Sequence, residues 1–350
     1  MGFSSITTSS HFAERLWDAF CIASIIGIWP RFIEPHLLCT SHHKIYIPHL
    51  DLRMNGMIIV QISDLHMSSY LSDRYLKRIL KRIKKIKPDL IVFTGDLLCY
   101  SELSDKERLF SFLAELQAPL GCFAIFGNHD YSQYVSLAED GNARCIQEHI
   151  SPLLRGFSRL FSTKKDEIDD PIVTKPIDTM PELYDLYHKA GFQVLHNEHE
   201  FLSEGGAKVN LIGLGDVMVK QCFPEQAFLK VDPRFPTIVL SHNPDSYPLF
   251  QNYPADLVLF GHTHGGQVNL PFIWEKITPL INKQFKSGLI STNGHKLYIS
   301  RGLGATFPFR WFAPPEISHF TLIRSGPVKE PILSTFFERE KAPENAYGSV

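Results

Sequence analysis

The stretch MIIVQISDLHMSSYLSDRYLKRILKRIKKIKPDLIVFTGD, residues 57–96, decides the fold class of this chain. MIIVQIS (57–63) and PDLIVFTGD (88–96) are apolar runs typical of buried strands. Residues 72–87 between them carry apolar side chains at helical spacing and basic side chains on the other face. A strand, a helix and a second strand in this order predict a β-α-β unit, and therefore an α/β fold.

The same alternation continues along the chain. A helix is predicted over 107–117 and another over the first part of 181–195. The stretches 121–130, 207–216, 235–244 and 255–266 each begin as an apolar run and end in polar residues. This shared ending is the main organisational signal in the sequence.

Three segments depart from this pattern. Residues 1–55 are predicted to be an apolar, membrane-facing segment, which precedes the main domain, residues 56–326. Between 131 and 180 the regularity lapses into mixed charge, Pro and Thr, which predicts an insertion near the functional site and a candidate lid. The tail 327–350 is polar and is expected to fray.

The N-terminal segment contains an apolar stretch from Ala19 to Trp29. It is shorter than the ~20 residues needed to span a bilayer, and Pro30 is expected to end it. No signal peptide is indicated, because a basic n-region and a cleavage site are both lacking. Two interpretations stay open, a helix lying in a membrane interface or a helix packed on the core of the domain.

Composition narrows the function classes. The formal net charge of −2 argues against a nucleic-acid binder, which normally carries a basic excess. Six cysteines without C-x-x-C spacing indicate neither a zinc knuckle nor a disulfide framework, so we expect free thiols in a reducing compartment.

The polar residues that follow the apolar runs are capable of metal or acid–base chemistry. In an open α/β sheet, ligands gather outside the carboxyl ends of the strands, so five separate stretches are expected to converge on one locus. Carboxylate, imidazole and amide ligands without thiolate suit Mn²⁺, Fe²⁺, Zn²⁺ or Ni²⁺ better than a closed structural zinc site, and two divalent ions, Mn²⁺ first among these, are the expected cofactors. The residues are Asp64, His66, Asp96, Asn128, His129, His242, His262 and His264.

Two divalent ions bridged by one carboxylate form a clamp for phosphoryl transfer, because they activate water and stabilise the attacking and leaving oxygens together. Asp96 is suited to the bridge, since a carboxylate has two oxygens. The sequence therefore predicts a dinuclear hydrolase of phosphate esters or anhydrides.

At this point the chain resembles the calcineurin-like metallophosphoesterases, from residue 57 to about 323. The resemblance implies a four-layer fold, in which a β-sandwich is flanked by helices and carries a dinuclear metal site at one edge. It also implies His129 as the catalytic residue that stabilises the transition state and protonates the leaving oxygen, with Asp130 orienting it. The motifs are DLH (64–66), GD (95–96), GNHD (127–130), SH (241–242) and GHTH (261–264).

The same resemblance distributes the ligands between the two ions. One ion is implied to take Asp64, His66 and His264, and the other Asn128, His242 and His262, with Asp96 bridging them. Gly265 and Gly266 are expected to let the main chain approach bound phosphate.

Residues 261–267 and 298–322 are similar to a branch of membrane-associated bacterial phosphodiesterases. This resemblance implies hydrolysis of UDP-2,3-diacylglucosamine, a lipid-linked sugar nucleotide, to UMP and 2,3-diacylglucosamine 1-phosphate for lipid A biosynthesis. It places the enzyme as a peripheral protein on the cytoplasmic face of the inner membrane, and otherwise in the cytoplasm. Arg301 and Arg310 are candidates for contact with the substrate.

Two alternatives to this function remain. A general phosphodiesterase or phosphoprotein phosphatase of the same fold would act on substrates without acyl chains and would need no apolar surface to bind them. A non-catalytic scaffold is disfavoured, because every ligand position is filled.

Overall fold

The computed structural model describes residues 6–138, 140–146, 170–271, 274–278 and 280–326. The longer helices are α1 (Ile6–Ala23), α2 (Asp73–Ile86), α3 (Lys106–Ala114) and α4 (Pro181–Lys189), followed by the four-residue helices α5 (Pro224–Ala227), α6 (Tyr247–Phe250) and α7 (Trp274–Ile277). The strands are β1 (Cys39–Ile47), β2 (Ile58–Ile62), β3 (Leu90–Thr94), β4 (Cys122–Ile125), β5 (Val135–Leu137), β6 (Ala143–Cys145), β7 (Phe192–Val194), β8 (Glu198–Glu204), β9 (Ala207–Gly213), β10 (Thr237–Leu240), β11 (Leu257–Phe260), β12 (Gly288–Thr292), β13 (His295–Ile299) and β14 (Glu316–Arg324).

The strands form two six-stranded sheets that pack face to face. The first has the order β1-β14-β2-β3-β4-β7 and the second the order β12-β13-β11-β10-β9-β8, while β5 and β6 pair separately as a hairpin. Between the sheets lies an apolar layer to which the first sheet contributes Val92 and Ile125, and the second Leu211 and Leu259. This layer excludes water from both inner faces, which is the main source of stability in a β-sandwich.

Helices cover the outer faces of the sandwich. Ile79 and Ile83 of α2 pack with Val60 and Phe93 of the first sheet. On the other side, Phe250 of α6 belongs to the cluster that covers the second sheet. The predicted four-layer architecture is therefore confirmed.

Parallel pairing brings the carboxyl ends of the central strands to one edge. In the first sheet β2, β3 and β4 run parallel, and in the second β9, β10 and β11 do so. The loops that follow these strands meet at this edge. The polar residues that the sequence places after each apolar run consequently lie together.

The N-terminal helix differs from the sequence prediction. Pro30 does not end it, because α1 continues through a π-helical segment, Ser24–Ile33, and a 3₁₀ turn, Glu34–His36. The π-turn shifts the main-chain pairing by one residue and accommodates a ring that has no N–H to donate. The helical stretch Glu14–His36 is 23 residues long, and by length and composition it is apolar enough to cross a membrane.

The alternative in which this helix packs on the core of the domain is also wrong for most of its length. Trp17 is 65% exposed, Phe20 56% and Ile25 57%. Among residues 14–36, whose side chains are described, those that are buried lie at the base of the helix, at Pro30 and Glu34.

Other boundaries need adjustment. Strand β1 pairs in parallel with β14 along its whole length, so the main domain begins before residue 56. In the predicted insertion, the β5–β6 hairpin and the Tyr131–Thr179 bridge are ordered against the domain, whereas residues 147–169 and the predicted polar tail lie outside the described residues. The six cysteines are free thiols, as predicted.

Candidate metal centre

The residues at the carboxyl edge adopt an unusual backbone conformation. Asp64, His66, Asp96, His262 and His264 have φ angles of 51°, 46°, 58°, 70° and 51°. Non-glycine residues rarely occupy this left-handed region, and when they do they cluster at functional sites. The sharp turn after each strand brings the side chains inward instead of letting them follow the strand direction.

A first group of donors surrounds one point at this edge. The Nε2 atoms of His66 and His264 are 3.0 Å apart, and Nε2 of His264 lies 3.6 Å from Oδ1 of Asp64. These three residues are fully or nearly fully buried. One donor atom from each lies within 4.8 Å of the others, which is the spacing of ligands around a single ion.

A second group lies beside the first. Nδ1 of His262 is 3.0 Å from Oδ1 of Asn128, and Nε2 of His242 is 3.2 Å from Oδ2 of Asp96. The donor atoms of Asp96, His242 and His262 again lie within 4.8 Å of one another.

Asp96 lies between the two groups. Its Oδ2 atom is 3.2 Å from His242 in the second group and 3.5 Å from Nε2 of His66 in the first. Its Oδ1 atom accepts the main-chain N–H of His129 at 2.9 Å, which fixes the carboxylate in this orientation. This is the position that a bridging ligand requires.

Main-chain carbonyl groups orient the ligand side chains. Nδ1–H of His66 donates to the carbonyl of Leu98 at 3.1 Å, and Nδ1–H of His242 donates to that of Thr94 at 2.7 Å. Each bond leaves the lone pair of Nε2 facing the centre, which is the usual support for a metal-binding histidine. The amide of Asn128 donates to the carbonyl of Val135 at 2.7 Å, so its Oδ1 faces the centre.

Burying this group of polar side chains costs free energy unless a cation binds them. Burial raises the pKa of Asp64 to about 7, lowers the pKa of His66 to about 4 and lowers the pKa of His264 well below its ordinary value. Oδ2 of Asp64 is buried without a hydrogen-bond partner. His242 differs, because burial, which lowers its pKa, is outweighed by the carboxylate of Asp96 and its pKa is raised to about 10. Imidazole nitrogens, amide oxygen and buried carboxylates form a donor set that fits two divalent cations.

His129 lies beside the donor groups, and one of its ring nitrogens is within 4.8 Å of donor atoms of His66 and Asp96, so these three residues form a third possible ligand group. Its Nδ1 accepts the main-chain N–H of Tyr100 at 2.9 Å, so the proton of the neutral ring is on Nε2, which lies 4.0 Å from Oδ2 of Asp96. Burial lowers the pKa of His129 well below its ordinary value. The ring of Tyr134 lies 4.3 Å from the imidazole, measured between centroids.

The structure corrects the role predicted for Asp130. Its carboxylate accepts main-chain N–H groups of Asp96, Leu98 and Gly127 at 2.7, 2.9 and 3.0 Å, and the ring of His129 is oriented by Tyr100 instead. Asp130 therefore ties together the two loops that carry Asp96 and Asn128.

The structure also bears on the predicted substrate contacts of the two arginines. Arg310 is only 1% exposed and lies behind His264, where it donates to main-chain carbonyls. Arg301 pairs with the buried Glu316 at 2.7 Å. The buried guanidinium of Arg310 is not accessible to a substrate, whereas the side chain of Arg301 is 30% exposed and its contact with substrate remains a prediction.

Gly265 and Gly266 are buried and have φ angles of 64° and 88°. A Cβ at Gly265 would lie 2.7 Å from Cγ of Arg301, so close side-chain packing is one reason for the glycine. The predicted approach of phosphate to these residues remains a prediction.

Three residues near the centre were missed by the sequence analysis. Tyr100 and Tyr134 contact His129, and no spacing rule predicts aromatic contacts between separate loops. Asp216 is 1% exposed, and burial raises its pKa to about 6. Asp216 comes shortly after the end of β9, as Asp64 comes shortly after the end of β2. The polar end of the apolar run 207–216 was therefore the sequence signal for Asp216.

Comparison with known proteins agrees with this geometry. The family model for calcineurin-like phosphoesterase matches residues 57–266. The UDP-2,3-diacylglucosamine pyrophosphatase LpxG of Chlamydia muridarum is 40% identical over 303 residues, which cover 83% of this chain and 91% of the relative. LpxG of Chlamydia trachomatis is 39% identical with the same coverage. The uncharacterised metallophosphoesterase YkuE of Bacillus subtilis is 34% identical over 300 residues, or 84% of this chain and 88% of the relative.

Proposed function

The chain belongs to the calcineurin-like phosphoesterase family and is a hydrolase of phosphoester or pyrophosphate bonds, and on this premise we propose that its substrate is UDP-2,3-diacylglucosamine. Hydrolysis of the pyrophosphate bond gives UMP and 2,3-diacylglucosamine 1-phosphate, a step of lipid A biosynthesis. The observation that carries the proposal is the 40% identity to a pyrophosphatase of this name across 91% of that protein.

The residues of the candidate centre have distinct parts in the proposed reaction. Asp64, His66 and His264 would hold one divalent ion, Asn128, His242 and His262 would hold a second, and Asp96 would be shared between them. We favour Mn²⁺ because oxygen and imidazole donors without thiolate suit it. When bound, the two ions neutralise the phosphoryl oxygens and make water a stronger nucleophile at neutral pH.

His129 donates a hydrogen bond to the leaving oxygen. The tautomer fixed by the N–H of Tyr100 keeps a proton on Nε2, the ring atom that faces Asp96. As the bond from water oxygen to phosphorus forms, the bond from phosphorus to the bridging oxygen breaks, and this oxygen takes up charge. A hydrogen bond from Nε2–H of the neutral ring stabilises that charge, the leaving group departs as a phosphate, and the proton of the attacking water passes to solvent; a donor of this kind contributes about 10²–10³-fold to the rate.

The N-terminal helix accounts for access to a lipid substrate. Its apolar side chains are exposed, and contact of such a large apolar surface with water is unfavourable. Trp17 and Trp29 have the amphipathic rings typical of membrane interfaces. We infer that residues 14–33 attach the enzyme to a bilayer, on the cytoplasmic face of the inner membrane. The acyl chains then remain in the bilayer while the pyrophosphate reaches the metal centre.

The substrate proposal is tested with purified protein, Mn²⁺ and two substrates. We expect release of UMP from UDP-2,3-diacylglucosamine in mixed micelles to exceed hydrolysis of bis(p-nitrophenyl) phosphate by orders of magnitude in kcat/KM. Rapid turnover of the aryl diester with none of the lipid nucleotide would favour the general phosphodiesterase instead.

The membrane proposal is tested by flotation with vesicles of phosphatidylethanolamine and phosphatidylglycerol. The unchanged protein should float, and a variant carrying Phe20→Glu and Ile25→Glu should remain in the dense fraction. The matched control is Leu229→Glu, which alters an apolar side chain outside the helix. Leu229 is 79% exposed, and this variant should float normally. Equal flotation of both variants would overturn attachment through the helix.

A further inference from the structure

Phe312 ends a segment rich in aromatic side chains, residues 307–312 (FPFRWF), which we call the aromatic loop. It is 59% exposed, and its φ angle is 55°. A bulky side chain is uncommon in this left-handed region, which glycine and asparagine adopt more readily. Packing inside the fold does not explain a phenylalanine here, since most of the residue is exposed. An exposed apolar ring on a strained main chain therefore indicates a functional role.

The aromatic loop is joined to the base of the N-terminal helix. The main-chain N–H of Arg310 donates to the carbonyl of Pro30 at 2.8 Å, and that of Ala313 donates to Oε1 of Glu34 at 2.6 Å. These two bonds flank the exposed end of the loop. The exposed ring therefore lies beside the helix that we propose to attach to a bilayer.

The same loop is joined to the turn that follows His264. The main-chain N–H of Trp311 donates to the carbonyl of Gln267 at 2.9 Å, and that of Asn269 donates to the carbonyl of Trp311 at 2.8 Å. The side-chain amide of Gln267 donates to the carbonyl of Phe309 at 3.2 Å. The aromatic loop thus has a fixed position between the base of the helix and the segment that carries a proposed metal ligand.

Stacking of two rings gives the end of the loop a flat apolar surface. The rings of Trp311 and Phe312 have centroids 5.9 Å apart and an interplanar angle of 13°. The carbonyl of Phe312 accepts a hydrogen bond from the side-chain amide of Asn269 at 3.1 Å. Such a partner is needed in a bilayer, where an unsatisfied main-chain group is costly. Phe32, in the base of the helix, is 61% exposed, so the apolar surface continues from the helix onto the loop.

We propose that the aromatic loop inserts Phe312 into the hydrocarbon edge of the bilayer, as a second membrane contact beside the N-terminal helix. The inference rests on the proposed attachment of the helix and on the proposed lipid substrate. A helix alone leaves the domain free to rotate about its axis, whereas a second contact restricts that rotation. The metal centre is then held at the membrane surface, where the pyrophosphate of a lipid-anchored substrate lies. Glycine would relieve the main chain at this position but would offer the bilayer no apolar side chain.

The contact is tested directly by photocrosslinking. The photoreactive residue p-benzoylphenylalanine replaces Phe312 in the full-length protein, which is bound to vesicles of phosphatidylethanolamine and phosphatidylglycerol and irradiated. We expect mass spectrometry to find phospholipid attached at this position.

The matched control carries the same photoreactive residue in place of Tyr46. This residue is 56% exposed and pairs with Ile323 at the end of β1 that lies away from the metal centre, so it should give no lipid adduct. Equal lipid adducts at the two positions, or adducts of Phe312 only with a second copy of the chain, would overturn the proposal.

The effect on turnover is tested with two substrates. In Phe312→Ala we expect kcat/KM for UDP-2,3-diacylglucosamine in vesicles to fall about tenfold, because transfer of a whole phenylalanine side chain to an apolar medium contributes about 10–100-fold. Hydrolysis of bis(p-nitrophenyl) phosphate, which is soluble in water, should be unchanged. Phe312→Trp should keep the activity on the lipid nucleotide, and Tyr46→Ala should keep both activities. An unchanged kcat/KM for the lipid nucleotide in Phe312→Ala would overturn the proposed orientation of the centre.

A second variant makes the test independent of folding. Phe312→Gly removes the ring and relieves the main chain, so its melting temperature should stay close to that of the unchanged protein. It should lose activity on the lipid nucleotide as Phe312→Ala does, and full activity would contradict the membrane contact. Failure of the unchanged protein to hydrolyse the lipid nucleotide would overturn the proposed substrate, whereas absence of lipid adducts at position 312 would overturn the membrane contact alone.

Discussion

The Nε2 atoms of His66 and His264 lie 3.0 Å apart, although 198 residues separate the two histidines in the chain. Both rings are buried, and neither of these nitrogens is directed towards solvent. Two imidazole lone pairs at this distance repel each other unless a cation or a shared proton lies between them. The fold therefore places two imidazole donors where one cation would satisfy both.

Removal of metal should consequently destabilise the protein. A ligand that binds only the folded state adds about 2.7 kcal/mol to the free energy of unfolding when its concentration is 100 times Kd. We expect chelation with EDTA to lower the melting temperature by several degrees in differential scanning calorimetry, and Mn²⁺ to restore it. The same melting temperature before and after verified removal of metal would contradict a dinuclear centre.

Asp96→Ala should abolish both metal binding and activity. Asp96 is the one proposed ligand that reaches both donor groups, so its loss removes a ligand from each ion. Metal content measured by inductively coupled plasma mass spectrometry should fall below one ion per chain, and hydrolysis should fall to background. The control is Asp232→Ala, which removes the partner of Arg234 in an ion pair away from the centre. Full activity of Asp96→Ala would exclude the bridging role.

His129→Ala should retain metal and lose turnover. The side chain donates a hydrogen bond to the leaving oxygen in the proposed reaction and lies 4.0 Å from the bridging carboxylate. We expect kcat to fall by about 10²–10³-fold, the range for loss of a hydrogen-bond donor to a developing oxyanion, with metal content unchanged. His49→Ala alters a histidine that pairs with Asp256, at the amino end of β11, and should be silent in both measurements. Loss of metal from His129→Ala would show that His129 is a ligand.

Sequence periodicity was sufficient for the central strands, because these are buried on both faces and appear as continuous apolar runs. It missed β1, whose side chains alternate in exposure and include His42, His43 and Lys44. Such a strand has no strong apolar signal of its own. Its place in the sheet depends on pairing with β14, which lies more than 260 residues away along the chain.

The identity of the candidate ligands could be predicted because each follows a strand in a recognisable motif. The groups that orient these ligands could not be predicted, since they are main-chain groups and side chains from unrelated segments. The carbonyl that orients His242 belongs to Thr94, and the carbonyl that orients His66 belongs to Leu98. The sequence also predicted that the N-terminal helix ends at Pro30, because a proline ring usually stops an α-helix, whereas the π-helical segment Ser24–Ile33 accommodates it.

Gly261→Ala should disrupt the centre through sterics alone. A Cβ at this position would lie 2.1 Å from Oγ of Ser63 and 2.5 Å from Oδ2 of Asp64, distances that real Cβ atoms do not reach. Because both neighbours are fully buried, they cannot move aside without displacing the loop that carries Asp64. Overpacking of this kind costs about 1–3 kcal/mol, so we expect a lower melting temperature together with loss of at least one ion. Gly27→Ala is the matched control, because a Cβ there has no atom within 4 Å. Normal metal content and activity in Gly261→Ala would mean that the main chain at this turn yields more easily than its packing indicates.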